Sequence, residues 1–190
     1  ISCVRTMMNV YDECALEMAL RLREQYAKLS PESPARLTAL TIGDARCEPF
    51  LKNLCALRFD RSVRIDFDDD ALSAETVAAM VAAFVRREPH DLLLAGRQAG
   101  IGDSGKTPYL LAETLDWPCL GQVLGLELDQ DGAISATRQM DGGVARSKIR
   151  LPHVAAVGNA PNLSLRFPTL RDKITHGKKP VEVIPAASLL

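Results

Sequence analysis

What most constrains the fold is a repetition of pattern. Three times in succession a short apolar run is followed by an amphipathic stretch, the arrangement that produces parallel strands joined by crossover helices. Residues 1–4 read as the end of a first strand. Residues 11–28 read as a helix, with Ala15, Leu16, Ala19, Leu20 and Leu22 on helical spacing and Asp12 and Glu13 near its positive end. Residues 37–42 form the next apolar run, stopped by Gly43-Asp44, and a helix through Phe50, Leu51, Leu54 and Leu57 reaches residue 58. A short strand over 62–67 precedes a helix over 73–87, for which Ser73 is the natural N-cap. The small Ala and Val side chains of that helix suit close packing on a sheet. Residues 91–96 are the following strand.

Beyond Pro118 the period changes to strand alternation. Strands are expected over 121–128, over 133–140 after the Asp131-Gly132 turn, and over 144–151 after Gly142-Gly143, with a final buried strand over 154–157. The fold class is therefore α/β, three layers around a mostly parallel sheet, with a small antiparallel extension. From Asn159 onward prolines and isolated apolar residues alternate without a period, and Lys178-Lys179 is basic. The chain divides on this reading into an α/β domain over 1–158 and a partner-recognition segment with a C-terminal arm over 159–190.

The 190 residues are enough for one sizeable core, and 47% hydrophobic with 25% charged residues is the composition of a packed globular protein. No stretch approaches a transmembrane span. A formal net charge of -1 argues against a broad electrostatic grip on nucleic acid. The five cysteines lie singly, without a CxxC pair or a histidine at metal-ligand spacing, and read as reduced thiols of a cytoplasmic protein with no metal site.

The segment that carries chemistry is Gly96-Arg97-Gln98-Ala99-Gly100-Ile101-Gly102-Asp103-Ser104-Gly105-Lys106-Thr107. Glycines between a strand end and a helix N-terminus let backbone N–H groups converge on an anion, and the helix dipole favours negative charge there. Thr107 can cap the helix that follows, with Pro108 at its first position. Gly100 to Gly105 satisfies GxGxxG, but in a late unit and without a ribose-binding acid on a following parallel strand. Gly100 to Thr107 satisfies GxxxxGK[ST], which would put Lys106 on phosphates and Thr107 on magnesium. Three residues separate that match from its strand, however, and the one Walker-B-like acid, Asp129, falls in an expected hairpin. Phosphate binding without hydrolysis is the favoured reading. A phosphate-loop nucleotide hydrolase, a stand-alone adenine-nucleotide sensor and a glycine-rich turn that binds nothing are the alternatives.

Four motifs in order extend the reading. They are Asn9-Val10-Tyr11-Asp12-Glu13 with the helix after it, Leu94 to Ala99 with Gly102 to Gly105, Arg138-Gln139-Met140-Asp141-Gly142-Gly143 leading to Leu151-Pro152-His153, and Arg166-Phe167-Pro168-Thr169-Leu170 with Lys178-Lys179-Pro180. Together they resemble the electron-transfer flavoprotein beta-subunit family from Cys3 to Ile184. Val10 stands where the family usually has proline, and Lys106 where it usually has glutamine.

The resemblance implies a Rossmann-like, adenine-nucleotide-binding fold that holds AMP, or in some relatives a second FAD, in the same site. It implies an alpha-subunit partner that carries most of the contacts to FAD, and flavin-dependent dehydrogenases as electron donors. By position, the nucleotide site would be lined by Cys3, Asn9, Val10, Tyr11, Asp12, Ile42 and every residue from Gly96 to Thr107: Gly96, Arg97, Gln98, Ala99, Gly100, Ile101, Gly102, Asp103, Ser104, Gly105, Lys106 and Thr107. Leu170 would be the anchor for a partner dehydrogenase. No side chain is expected to be catalytic, since Asp103 and Ser104 lack a neighbouring base and His90, His153 and His176 are isolated.

Overall fold

The computed structural model of the chain describes residues 7–67, 72–99, 105–161 and 163–189. The strand expected over 1–4, with Cys3, lies outside them, as do Gly100, Ile101, Gly102, Asp103 and Ser104. In chain order the helices are α1 (Val10–Leu29), α2 (Glu48–Ala56), α3 (Ala74–Val85), α4 (Thr107–Leu115) and α5 (Leu170–Thr175). The strands are β1 (Thr38–Gly43), β2 (Arg61–Asp66), β3 (Leu92–Gly96), β4 (Cys119–Leu128), β5 (Ile134–Met140), β6 (Gly143–Ile149), β7 (His153–Val157) and β8 (Glu182–Pro185). Most lie within two residues of the expected elements. The chain is thus α/β, with one wholly parallel and one mixed sheet, consistent with a three-layer, Rossmann-like fold.

Two compact units interleave along the chain, one from residues 1–8, 36–71 and 166–190, the other from 9–35 and 72–165. In the first, β1, β2 and β8 pair in parallel in that order. Val63 and Ile65 of β2 are fully buried, and Leu51, Leu54 and Cys55 of α2 are nearly so. The stretch after Asn159, read as an arm without a period, carries both α5 and β8. Glu182 on β8 accepts from Arg61 at 2.7 Å, Lys52 Nζ donates to the Lys179 carbonyl at 2.9 Å, and Lys179 Nζ donates to the Asp60 carbonyl. No residue of α5 is buried, and β8 is a four-residue edge strand held by backbone pairing. Neither has a buried apolar face to write a period into the sequence.

In place of a buried face α5 has a capping box. Thr169 Oγ1 accepts from the Asp172 amide at 3.1 Å, and the Asp172 carboxylate accepts from the Thr169 amide at 3.1 Å. Thr169→Ala should therefore destabilise the helix locally by about 1 kcal/mol. The expected result in hydrogen exchange is faster exchange at Lys173 and His176, whose amides donate to Thr169 and Asp172 carbonyls, with the melting temperature of the whole protein nearly unchanged.

The second unit shows its layers in the alternation of its strands. Its sheet has the order β3-β7-β4-β5-β6, parallel from β3 to β4 and antiparallel beyond. Leu92 and Leu94 of β3 and Ala155 and Val157 of β7 pack with Cys14, Ala15 and Met18 of α1, whereas Leu93 packs with Ala78 and Ala82 of α3 and Leu111 of α4. Successive strand residues point to opposite faces, so helices cover the sheet on both sides. The alanines that suited close packing, Ala78 and Ala82, are almost fully buried. They let α3 pack on α4.

One local expectation is corrected. Lys106, not Thr107, is the N-cap of α4; its backbone is already helical at φ -81° and ψ -28°, so Thr107 and Pro108 occupy the first and second helical positions. A hydroxyl cap requires an extended backbone at its own residue, and Thr107 lies inside the helix. Among the described residues no helix is long and apolar enough to cross a membrane.

Candidate functional site

In open parallel sheets ligands bind beyond the carboxyl ends of the strands, and the chain builds a polar cluster at that end of β3. The Arg97 amide donates to the Val157 carbonyl at 2.9 Å, carrying the β3–β7 ladder one residue past Gly96, and the Gly158 amide donates to the Val123 carbonyl at 2.8 Å. Onto this edge comes the N-terminus of α1. Asn9 is its N-cap. The Asn9 amide Nδ2 donates to the Gln98 carbonyl at 2.7 Å and to Asp12 at 3.2 Å, while Asp12 Oδ1 accepts from the Gly96 amide at 2.7 Å. Asn9 and Asp12 therefore tie the first turn of α1 to the first residues of the loop.

Arg97 then turns back over α1. Its guanidinium stands 5.0 Å from the centre of the Tyr11 ring, with Nη2 donating to the Tyr11 hydroxyl at 3.3 Å and Nη1 to Gln122 Oε1 at 2.9 Å. Arg97 Nε is buried without a hydrogen-bond partner among the described residues. The far side of the loop returns close to the same point. Gly105, at φ +68°, would set a Cβ 3.1 Å from the Arg97 carbonyl, so a left-handed, side-chain-free residue brings the start of α4 beside β3. Among the described residues no side chain caps α4, which leaves donors of its first turn and the positive end of its dipole for an anion.

The sequence-derived site residues thus fall into distinct sets. Asn9, Tyr11, Asp12, Gly96, Arg97 and Gln98 are in mutual contact. Gly105 adjoins them, and exposed Lys106 and half-buried Thr107 begin α4. Val10 points outward at 62% exposure, and Ala99 is exposed. Ile42 stands on β1, in the other unit, paired with Ile65. Gln122 was not among the expected residues. Its signal, a glutamine after Gly121 inside an otherwise apolar run, is legible only afterwards.

The alternative triphosphatase reading needed Asp129 for magnesium. Asp129 lies just past β4, at the β4–β5 turn, where its carboxylate accepts from Ser135 Oγ at 2.8 Å and pairs with Arg146 at 3.3 Å and Lys148 at 3.4 Å. These partners hold its carboxyl below the ordinary range, the Ser135 hydrogen bond foremost. Among the described residues no cluster of carboxylates, histidines and cysteines could hold a metal ion.

Asp12 titrates in the opposite sense. Crowding by the β3 end raises its carboxyl above the ordinary 3.8, and the hydrogen bonds from Gly96 and Asn9 pull it partly back. A folded-state value above the unfolded one means that the folded protein holds the proton longer. The resulting stability is full below about pH 3.8 and is lost as the pH rises through the folded value. Asp12→Asn should remove this component. The difference between wild-type and variant urea midpoints should therefore drift against the wild type as pH rises above about 3.8, and become flat once Asp12 is ionised in both states.

Comparisons with known proteins point to one family. The family model described as the electron transfer flavoprotein domain matches residues 3–189. The putative electron transfer flavoprotein subunit YgcR of Escherichia coli is 34% identical over 179 residues, covering 94% of this chain and 66% of that protein. The beta subunit of Bacillus subtilis electron transfer flavoprotein is 30% identical, covering 93% and 66%, and that of Bos taurus 31% identical, covering 98% and 71%. The chain spans about two thirds of the length of these curated relatives. With a matching family model along nearly its whole length and relatives of this identity, the chain belongs to the electron-transfer flavoprotein beta-subunit family.

Proposed function

We propose that the chain is the beta subunit of a heterodimeric, cytoplasmic electron-transfer flavoprotein, holding AMP at the carboxyl end of β3 and pairing with an alpha subunit that carries most of the contacts to FAD. The observation that carries the nucleotide part is the convergence at one strand end of a half-buried guanidinium, whose buried Nε has no partner among the described residues, and a helix N-terminus that no described side chain caps. Both are donors in want of an acceptor, and a phosphate is the acceptor that suits them. Arg97 would take the anionic group, Lys106 would add charge beside it, and the Asn9–Asp12 ties would keep the loop seated on α1. A second FAD in place of AMP presents the same class of anionic group. FAD supplies the redox chemistry when bound, and this chain's side chains act by binding and orienting, none of them as a redox or catalytic centre.

The dehydrogenase part rests on the segment before β8. Phe167 is 95%, Leu170 75% and Ile174 59% exposed, and Leu170 and Ile174 share one face of α5 at i, i+4. Exposed apolar side chains on a capped, otherwise polar turn suit insertion into a partner.

The test is to purify the chain with its co-purifying partner, denature the complex and identify the released small molecules by chromatography and absorbance. One FAD and one AMP per heterodimer is the expected result, while two FAD would move the reading to a bifurcating carrier. Release of a nucleoside di- or triphosphate with magnesium and no flavin would sink it in favour of a phosphate-loop hydrolase. A stable homodimer or monomer that takes up nucleotide without a flavoprotein partner would favour a nucleotide sensor.

A further inference from the structure

A strained point of the second unit lies on β4. Gln122 adopts φ +57°, a left-handed conformation that a side chain longer than asparagine's rarely adopts. It sits in a bulge, for the β4–β7 register slips between Leu120 and Val123. A β-bulge re-aims a side chain that regular pleating would send elsewhere. Here the re-aimed amide oxygen accepts from Arg97 Nη1 at 2.9 Å. The surroundings leave room for that pose: at Gly158 a Cβ would lie 3.2 Å from Gln122 Oε1 and 3.4 Å from the Gln122 backbone. Strain, bulge and clearance converge on one hydrogen bond to one guanidinium.

We infer that Gln122 is a positioning residue for the nucleotide site: it holds the Arg97 guanidinium over Tyr11 so that its remaining N–H groups face the anionic group of the ligand. This rests on the nucleotide reading proposed above. A guanidinium has five N–H donors in a fixed fork. One bond to Gln122 and one to Tyr11 leave three, among them the buried Nε. Those two anchors determine the plane in which the other donors lie. A neutral acceptor does this without cancelling the charge, which glutamate in the same place would do. Gln122 touches Arg97 rather than the ligand, so its effect is confined to the charged part of the ligand.

The decisive variant is Gln122→Gly, because glycine adopts φ +57° without strain and loses only the side chain. Two readouts are taken on the full chain. In the free protein, exchange of the Arg97 Nε–H with water is followed by 15N NMR, the signal being assigned by its loss in Arg97→Lys. The expected result is exchange about tenfold faster in Gln122→Gly, as for a side chain freed of a hydrogen-bonded anchor. In the second readout AMP and adenosine are titrated by calorimetry. Gln122→Gly should weaken AMP about tenfold, on the order of one charge-assisted hydrogen bond, and leave adenosine within about twofold. Gln122→Glu should keep Arg97 Nε–H exchange slow yet also weaken AMP, by neutralising the cation.

Unchanged Arg97 exchange in Gln122→Gly would overturn the inference, as would equal weakening of AMP and adenosine, the mark of a merely structural role. A wild-type chain that binds neither ligand would overturn the nucleotide reading and with it the ligand half of the inference. The exchange measurement, which needs no ligand, would still decide whether Gln122 holds Arg97.

Discussion

Gly96→Ala is expected to abolish nucleotide binding and to cost about 3 kcal/mol of stability, combining overpacking with a damaged hydrogen bond to a carboxylate. A Cβ there would lie 2.6 Å from Asp12 Oδ1, 2.9 Å from Tyr11 Cβ and 3.0 Å from the Asp12 amide nitrogen. Two of these atoms cannot swing away, because a backbone amide and a Cβ move only with the helix that bears them. The first turn of α1 would have to retreat from β3, breaking the Asp12 bond to the Gly96 amide and the Asn9 bond to the Gln98 carbonyl. At this chain length a loss of 3 kcal/mol lowers the melting temperature by about 6–12 °C. Calorimetry measures that shift, and AMP titration of the purified heterodimer should show no detectable binding. Gly125→Ala is the control, since a Cβ at Gly125 meets nothing within 4 Å, and its stability should stay within about 0.5 kcal/mol of wild type. Equal behaviour of the two variants would remove the close approach of α1 and β3 as the reason for glycine at 96.

Leu170→Arg is expected to show the opposite pattern, with electron transfer from a flavin-dependent dehydrogenase slowed about 100-fold and stability unchanged. An anchor leucine lost from an interface typically costs 2 kcal/mol or more, and a buried, unpaired guanidinium in its place costs more again. In the free chain Leu170 is 75% exposed and no residue of α5 is buried, so the substitution should move the melting temperature by less than about 1 °C. Stopped-flow reduction of the heterodimer by a dehydrogenase that reduces the wild type provides the measurement. Cofactor content should be identical in both proteins. A variant reduced at the wild-type rate would place the docking surface elsewhere than α5.

How far the sequence speaks for itself differs from element to element, and the physics of burial explains the differences. Helix α3 was legible because an N-cap serine, Ala-rich interior and flanking polar residues all point the same way, and Ser73 does accept from the Thr76 amide at 3.1 Å. The β4–β5–β6 meander was legible because its turns carry the residues such turns need, with Gly132 at φ +79° and Gly143 at φ +147°. In contrast α5 and β8 bury almost nothing and so leave no hydrophobic period; their structure comes from a capping box and from backbone pairing with β2. Lys179, which read as part of a basic arm, is held by the Asp60 carbonyl.

The site divides along the same line. Which residue types suit an anion, and that they lie between a strand and a helix N-terminus, are properties of local sequence: glycines, Arg97 and Lys106 stand within one short segment, and Asn9 is a helix cap wherever that helix packs. Whether those pieces form one cluster is a matter of packing across long separations in the chain. Asn9 and Gln98, Asp12 and Gly96, and Arg97 and Gln122 become partners only because β3, β7 and β4 run side by side and α1, packed on their face, brings its first turn to their ends. Gln122 is the clearest case, since its left-handed backbone arises from a register slip between two strands and no local propensity encodes a slip. Period and turn chemistry, being local, determined the class of fold from the sequence alone and marked one glycine-rich segment between a strand and a helix. The aim of each side chain depends on register and on helix docking, and it was decided only when the apolar faces closed on one another.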